Sequence, residues 1–173
     1  WRVRTFGFHL ARLDLRQDAR VHRRVLLAAD PQLAAHPDSA ARIAELARGT
    51  AIANAPLDDP LLDRARRVFA TVADVRRRYG RDAIGLYIIS MAASASDVLS
   101  VIALARAGQL VDGNDQVPLD IAPLFETIED LQQAPQTLAR MLADPVYRGH
   151  LRARGDRQFV MLGYSDSAKD GGL

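Results

Sequence analysis

The sequence predicts an α/β fold: about half of a β/α (TIM-type) barrel, with parallel strands and many added helices, helix-rich overall. Three observations lead there. Four short apolar runs have the length of buried strands, and helical patterns separate each from the next. That alternation is what βαβ units and a parallel sheet produce. Four strands make half of an eight-stranded barrel, or one complete small open sheet. The chain begins at Trp1 rather than a methionine and ends at Leu173, just after a Gly-Gly pair. These ends favour the half barrel, so residues 1–173 are expected to be one partial domain of a longer protein.

The first strand is expected over 8–15, "FHLARLDL", where Phe8, Leu10, Leu13 and Leu15 are apolar. A helix over 18–29 follows, with Val21, Val25 and Leu26 on its apolar face. A second is expected over 37–49, capped by Asp38 or Ser39 and stopped at Gly49, as oxygen-bearing caps and terminal glycines require. The loop "PLDDP" at 56–60 leads into the longest helix, 58–80. Asp58 or Asp59 caps it, Pro60 sits in its first turn and Gly80 stops it, which is the usual asymmetry of helix ends. The second strand, "AIGLYIIS" at 83–90, is rich in β-branched and aromatic residues. A helix over 96–108 starts on Ser96-Asp97 and stops at Gly108. The third strand is "LDIAPLF", 119–125. The pattern over 127–143 starts at Thr127, and Pro135 either kinks it or divides two helices. Another Asp-Pro start opens a helix over 144–154, and the fourth strand is "QFVMLG", 158–163, running into a small-residue turn. Continuous apolar runs of this kind suit strands buried on both faces.

Composition excludes several classes of function. The chain is 49% apolar and 25% charged, ordinary for a soluble globular protein. The net charge is only +2 and acids are interspersed with arginines, so a nucleic-acid surface is not favoured. No apolar run approaches the roughly 20 residues of a membrane helix. There are no cysteines, which removes disulfides and thiolate metal sites and fits a reducing compartment. Of the 23 strong bases, Lys169 is the single lysine. In a chain so biased towards arginine, a surviving lysine points to a role that arginine cannot fill. The alternative is chance survival at an exposed position, paired with Asp170.

A β/α barrel keeps its active site at the carboxyl ends of its strands. There the first strand runs into Asp14-Leu15-Arg16-Gln17-Asp18, the second into Ser90-Met91 and the third into Glu126-Thr127. The fourth runs into Tyr164-Ser165-Asp166-Ser167-Ala168-Lys169-Asp170. A carboxylate at the end of a buried strand is costly unless it is paired or bound to a metal. Glu126 and Asp166 together are the donor set that Mg²⁺ or Mn²⁺ uses, with water and substrate oxygens completing the shell. Otherwise Glu126 is an acid facing a helix dipole and Asp166 is a turn residue. Arg16 presents a fork of donors suited to phosphate or carboxylate, unless it pairs with Asp14 or Asp18. His22 reads as a structural helix histidine. His9, His36 and His150 are spaced to match no metal motif. Arg76-Arg77-Arg78 reads as a solvated helix end. No glycine-rich phosphate fingerprint, P-loop or nucleophile elbow is present.

Four ordered segments then resemble one family, phosphoenolpyruvate carboxylase. "FGFHLARLDLRQDARVH" at 6–22 is similar to the family's D-[ILV]-R-Q segment with its following histidine. "YIISMAASASDVLSVIALARAGQL" at 87–110 resembles its Y-[VI]-I-S-M…S-D-[VL]-L segment. "PLFETIEDLQQAP" at 123–135 and "VMLGYSDSAKDGG" at 160–172 match two long and specific strings.

The resemblance implies a lyase that adds bicarbonate to phosphoenolpyruvate, giving oxaloacetate and phosphate by way of carboxyphosphate and the enolate of pyruvate. That is anaplerotic carbon dioxide fixation feeding the tricarboxylic acid cycle. It implies Mg²⁺ or Mn²⁺, a cytoplasmic homotetramer, and no nucleic-acid or membrane partner. Residue by residue, Glu126 and Asp166 fall on the metal ligands. Arg16 falls on an arginine facing the substrate phosphate, and Lys169 on an active-site lysine, so both are expected to be catalytic and substrate-binding. The family's catalytic histidine segment, its glycine-rich arginine loop and its regulatory acid-binding site match nothing in this chain. The isolated chain is therefore expected to be inactive. Rival readings are another metal-dependent barrel using phosphoenolpyruvate, a catalytically silent relative serving as a scaffold, and a helical binding module with buried acids.

Overall fold

The computed structural model describes residues 1–6, 9, 11–30, 43, 44, 47, 52 and 59–172. The helix expected over 37–49 lies outside them, apart from Ile43, Ala44 and Ala47, which are helical and buried. The strand residues Phe8 and Leu10 and the histidine at 36 also lie outside the described residues.

A short helix α1 (Arg2–Phe6) precedes strand β1 (Leu13–Asp18) and helix α2 (Ala19–Ala29). The long helix α3 (Pro60–Tyr79) leads through a 3₁₀ turn (Arg81–Ala83) to β2 (Ile84–Ser90) and α4 (Ala95–Ala107). Then come β3 (Asp120–Phe125), α5 (Ile128–Ala143), α6 (Pro145–Ala153), β4 (Met161–Leu162) and α7 (Ser165–Asp170). The four strands form one sheet in the order β1-β2-β3-β4, and every pairing is parallel. The parallel α/β sheet is thus as expected, and it is consistent with part of a barrel.

The helix ends follow the chain's own chemistry. Asp59 accepts from Leu61 N at 2.7 Å and Leu62 N at 3.1 Å, Pro60 opens α3, and Gly80 ends it at φ 95°. Asp144 caps α6 in the same way, accepting from Val146 N and Tyr147 N at 2.9 Å each. Thr127 and Asp130 exchange hydrogen bonds across the start of α5, a capping box. α5 is one continuous helix that contains Pro135, so the proline does not divide it.

α4 is buried at every position except Arg106, as a helix apolar all round must be. It packs on α2, α3, α5 and β3, and so forms the centre of the core. Gly108 ends it where α3 passes closest: a Cβ there would lie 2.5 Å from Phe69 Cβ and 2.9 Å from the Arg66 carbonyl oxygen. The cap lies at Ser94 rather than Ser96, because Asp97 at the third helical position reaches back to accept from Ser94 N at 3.0 Å.

Four expectations need correction. The first strand runs over 13–18, not 8–15. His9 lies outside it, with its Nε2 2.9 Å from the Tyr79 carbonyl oxygen. The strand extends because residues 15 to 18 pair in register with Tyr87 to Ser90 of β2, and ladder pairing outweighs the local apolar pattern. Only β3 is buried along its whole length. The outer strands β1 and β4 are largely exposed, Leu13 and Leu162 each at 65%, and among the described residues each has a single neighbour. Strand β4 has only two paired residues, and the turn expected after it is the helix α7.

Candidate active site at the carboxyl ends of the strands

Parallel pairing brings all four strand ends to one edge of the sheet. Arg16 and Asp18 close β1, Ser90 closes β2 and Met91 follows it, Glu126 and Thr127 follow β3, and α7 follows β4. An open hollow of about 560 Å³ sits at this edge, lined by Arg16, Asp18, Ser90, Met91, Glu126, Thr127, Asp166, Lys169 and Asp170. The four residues singled out in the sequence, Arg16, Glu126, Asp166 and Lys169, all line it.

Glu126 is the buried centre of this surface, with 8% of its side chain exposed. Both oxygens are held. Arg16 Nη2 donates to Oε1 at 2.6 Å, and the backbone N–H of Met91 donates to Oε2 at 2.8 Å. Arg16 therefore pairs across the sheet with Glu126, not with Asp14 or Asp18. Asp14 accepts from Leu86 N at 3.1 Å. Asp18 caps α2 through Arg20 N and grips the Arg20 guanidinium, with contacts of 2.6 to 3.1 Å. The hydrogen bond from Arg20 holds the Asp18 carboxyl below the usual carboxylate range, against the opposing effect of burial.

The fourth strand end is pressed onto Glu126 by small residues. Gly163 N donates to the Phe125 carbonyl oxygen at 2.8 Å. A Cβ on Gly163 would lie 2.9 Å from Glu126 Cα, closer than a real side chain comes. Ser167 Oγ stands 2.5 Å from the Glu126 carbonyl oxygen and 2.6 Å from that of Gly163, one proton between two acceptors. Asp170 accepts from Ile128 N at 2.9 Å, so α7 satisfies one of the free N–H groups at the start of α5. These contacts seat α7 as a rim. From it Asp166 and Lys169 reach the hollow, 56% and 77% exposed, with Lys169 Nζ 3.7 Å from Asp166 Oδ1. The lysine partner is thus Asp166, one helical turn back, rather than Asp170.

The remaining candidates fall elsewhere. His22 is buried, its Nε2 2.8 Å from Tyr87 Oη, and His150 is buried against Tyr147. Arg77 and Arg78 pair with Asp74, while Arg76 turns inward to the carbonyl oxygens of Arg81 and Ile84. Met91 and Ser167 stood in the strand-end segments without an assigned part: Met91 acts through its backbone N–H, which no residue type signals, and Ser167 through a hydroxyl contact to two backbone carbonyls.

The donor set fits a hard divalent cation. Glu126 and Asp166 line one hollow, and a carboxylate oxygen that accepts one hydrogen bond keeps a second lone pair. Among the described residues no group of three or more His, Cys, Asp or Glu side chains is arranged to hold a metal. Two carboxylates are within the number that Mg²⁺ or Mn²⁺ takes, with water and substrate oxygens in the other positions.

The model of the family described as phosphoenolpyruvate carboxylase matches residues 1–173. The chain belongs to the phosphoenolpyruvate carboxylase family. It is 55% identical over 179 residues to the phosphoenolpyruvate carboxylase of Xanthomonas campestris, with 100% of the chain aligned to 20% of the relative. It is 41% identical over 183 residues to that of Mycobacterium avium, covering 98% of the chain and 20% of the relative. With that of Rhodopseudomonas palustris it is 43% identical over 183 residues, 97% of the chain and 19% of the relative. The chain thus spans about a fifth of the length of the carboxylases it matches. Among the described residues no helix is long and apolar enough to cross a membrane.

Proposed function

We propose that this chain is the segment of a cytoplasmic, homotetrameric phosphoenolpyruvate carboxylase that supplies the metal ligands and part of the anion-binding surface of its barrel mouth. The observation that carries the reading is the convergence of Arg16, Glu126, Asp166 and Lys169 on one hollow at the carboxyl edge of a parallel sheet. Glu126 and Asp166 would hold Mg²⁺ or Mn²⁺, which when bound supplies neutralisation of phosphate and enolate charge.

The chain's own groups do the positioning. Arg16 commits one nitrogen to Glu126 and keeps its remaining N–H donors for the phosphate of phosphoenolpyruvate, a planar two-point grip. Lys169, on a flexible stem, gives bicarbonate a compact positive charge that can follow an oxygen as phosphate passes to it. Holding the two anions in line is most of what phosphoryl transfer asks of a protein. Carboxyphosphate and the enolate then combine to oxaloacetate and phosphate.

Mn²⁺ titration of the full-length chain by water proton relaxation tests this. Asp166→Asn and Glu126→Gln should each weaken binding by about tenfold or more, since even partners one shell further out have effects of that size, while circular dichroism stays parental. Parental Mn²⁺ affinity in both variants would return the two carboxylates to structural roles.

A further inference from the structure

The loop between β2 and α4 is held at every backbone N–H. Met91 N donates to Glu126 Oε2 at 2.8 Å, and Ala92 N to the Leu124 carbonyl oxygen at 3.3 Å. Ala93 N and Ser94 N both donate to one oxygen, Asp97 Oδ2, at 3.0 Å each. From the other side Thr137 Oγ1 donates to the Ala93 carbonyl oxygen at 3.3 Å. Met91 itself adopts φ 55°, a left-handed conformation that a residue with a side chain holds only when its surroundings over-determine it.

Asp97 is the largest of those constraints. Its side chain is wholly buried and forms no part of the hollow. Besides the two loop amides it accepts from Ser94 Oγ at 3.2 Å. It also takes a two-point grip from Arg23 of α2, Nε to Oδ1 at 2.7 Å and Nη2 to Oδ2 at 2.8 Å. A buried ion pair adds little net stability over an apolar replacement, and capping α4 needs only one acceptor. What the full charge provides is an anion able to collect donors from a loop and a neighbouring helix at once.

We propose that Asp97 is a positioning residue for the Glu126 carboxylate: anchored on Arg23, it fixes Ala93 and Ser94 and so keeps Met91 in the conformation that aims its N–H at Glu126 Oε2. The proposal rests on the reading of Glu126 as a functional ligand. It extends the reach of the site to a buried residue on the far side of a loop.

The test uses the full-length chain, with Asp97→Asn compared against Asp120→Asn. Asp120 also belongs to a largely buried ion pair, accepting from Arg154 Nε at 2.7 Å, but at the opposite end of β3. Two quantities are measured: hydrogen exchange of the peptide spanning residues 88–94, and Mn²⁺ affinity. Asp97→Asn should speed exchange at Met91 and weaken Mn²⁺ binding, each by about tenfold, as loss of an outer-shell partner does. Asp120→Asn should change each by less than about twofold, because its partner lies outside that shell. Parental exchange at Met91 in Asp97→Asn overturns the proposal, and so do equal losses in Asp120→Asn, which would make the effect one of general stability. Faster exchange with parental Mn²⁺ affinity also overturns it, provided Glu126→Gln does weaken Mn²⁺ binding. If Glu126→Gln binds Mn²⁺ like the parent, the metal reading has failed and exchange at Met91 alone decides the positioning. Should Asp97→Asn not fold, Asp97→Glu, which keeps the charge and displaces it by a methylene, is read by the same criteria.

Discussion

Arg16 and Glu126 stand 110 residues apart in the chain and 2.6 Å apart in space. Their pairing is what allows a carboxylate to be buried at a strand end at all. Lys169 is held far less. Its contact with Asp166 is long, and both groups are mostly exposed, so the pair contributes little to stability. Lys169→Arg in the full-length chain should therefore leave unfolding and Mn²⁺ affinity unchanged. It should lower kcat about 100-fold, as removal of one preorganised electrostatic group does. Steady-state kinetics at saturating metal checks this, and a parental kcat with a parental KM for bicarbonate would put the lysine on the surface. His22 makes a prediction of another kind. Burial pulls its pKa from 6.5 down to about 4, although Asp97 and Asp18 act in the opposite direction. The unfolded chain gains the proton near 6.5 and the folded one only near 4. The stability that depends on neutral His22 is thus present above about 6.5 and lost as pH falls towards 4, to a ceiling of about 3 kcal/mol. His22→Gln keeps a hydrogen-bonding group beside Tyr87 Oη and should flatten the dependence of thermal unfolding on pH between 7 and 5. An unchanged slope would mean that other groups carry it.

At the scale of elements, the site depends on how closely β4 and α7 approach β3. The apolar run Val160-Met161-Leu162 marked a strand in the sequence, but only Met161 and Leu162 pair; Gly163 then brings the backbone against Glu126. Gly163→Ala places a methyl 2.9 Å from Glu126 Cα and 3.3 Å from its carbonyl oxygen. Since both are backbone atoms, the end of β4 must move, at about 1–3 kcal/mol. Asp166 and Lys169 shift with it, so Mn²⁺ affinity should fall together with the melting temperature. A stable Gly163→Ala chain with parental Mn²⁺ binding would show that α7 is seated by Ser167 and Asp170 alone. Helix ends were legible because caps act locally: Asp59, Pro60, Gly80, Thr127 and Asp144 all stand where the chain suggested. The start of α4 was not, since Ser96-Asp97 resembles a cap and only the reach of Asp97 back to Ser94 moves the boundary.

For the whole molecule, the exposed outer strands matter most. Among the described residues β1 and β4 each have one neighbour and carry Leu13 and Leu162 in solvent, and sheet edges of this kind invite pairing. The carboxylases the chain matches are about five times its length, and the hollow draws its lining from four strand ends only. The 173-residue chain on its own should therefore make no oxaloacetate. A coupled assay with malate dehydrogenase measures this, and turnover that depends on both bicarbonate and phosphoenolpyruvate would show that these residues suffice.

The class of fold, most of the helix caps, the family and the short set of residues at the carboxyl edge can be read from the amino-acid order alone. Those follow from local chemistry and from strings long enough to be specific. The extent of β1, the exposure of the edge strands, the partner of Arg16, the helical form of the segment after β4 and the part played by Met91 were decided only by tertiary structure. Each depends on which distant backbone or side chain comes within about 3 Å, the range of a hydrogen bond. That proximity is set by strand register and helix packing, which no single stretch of the chain contains.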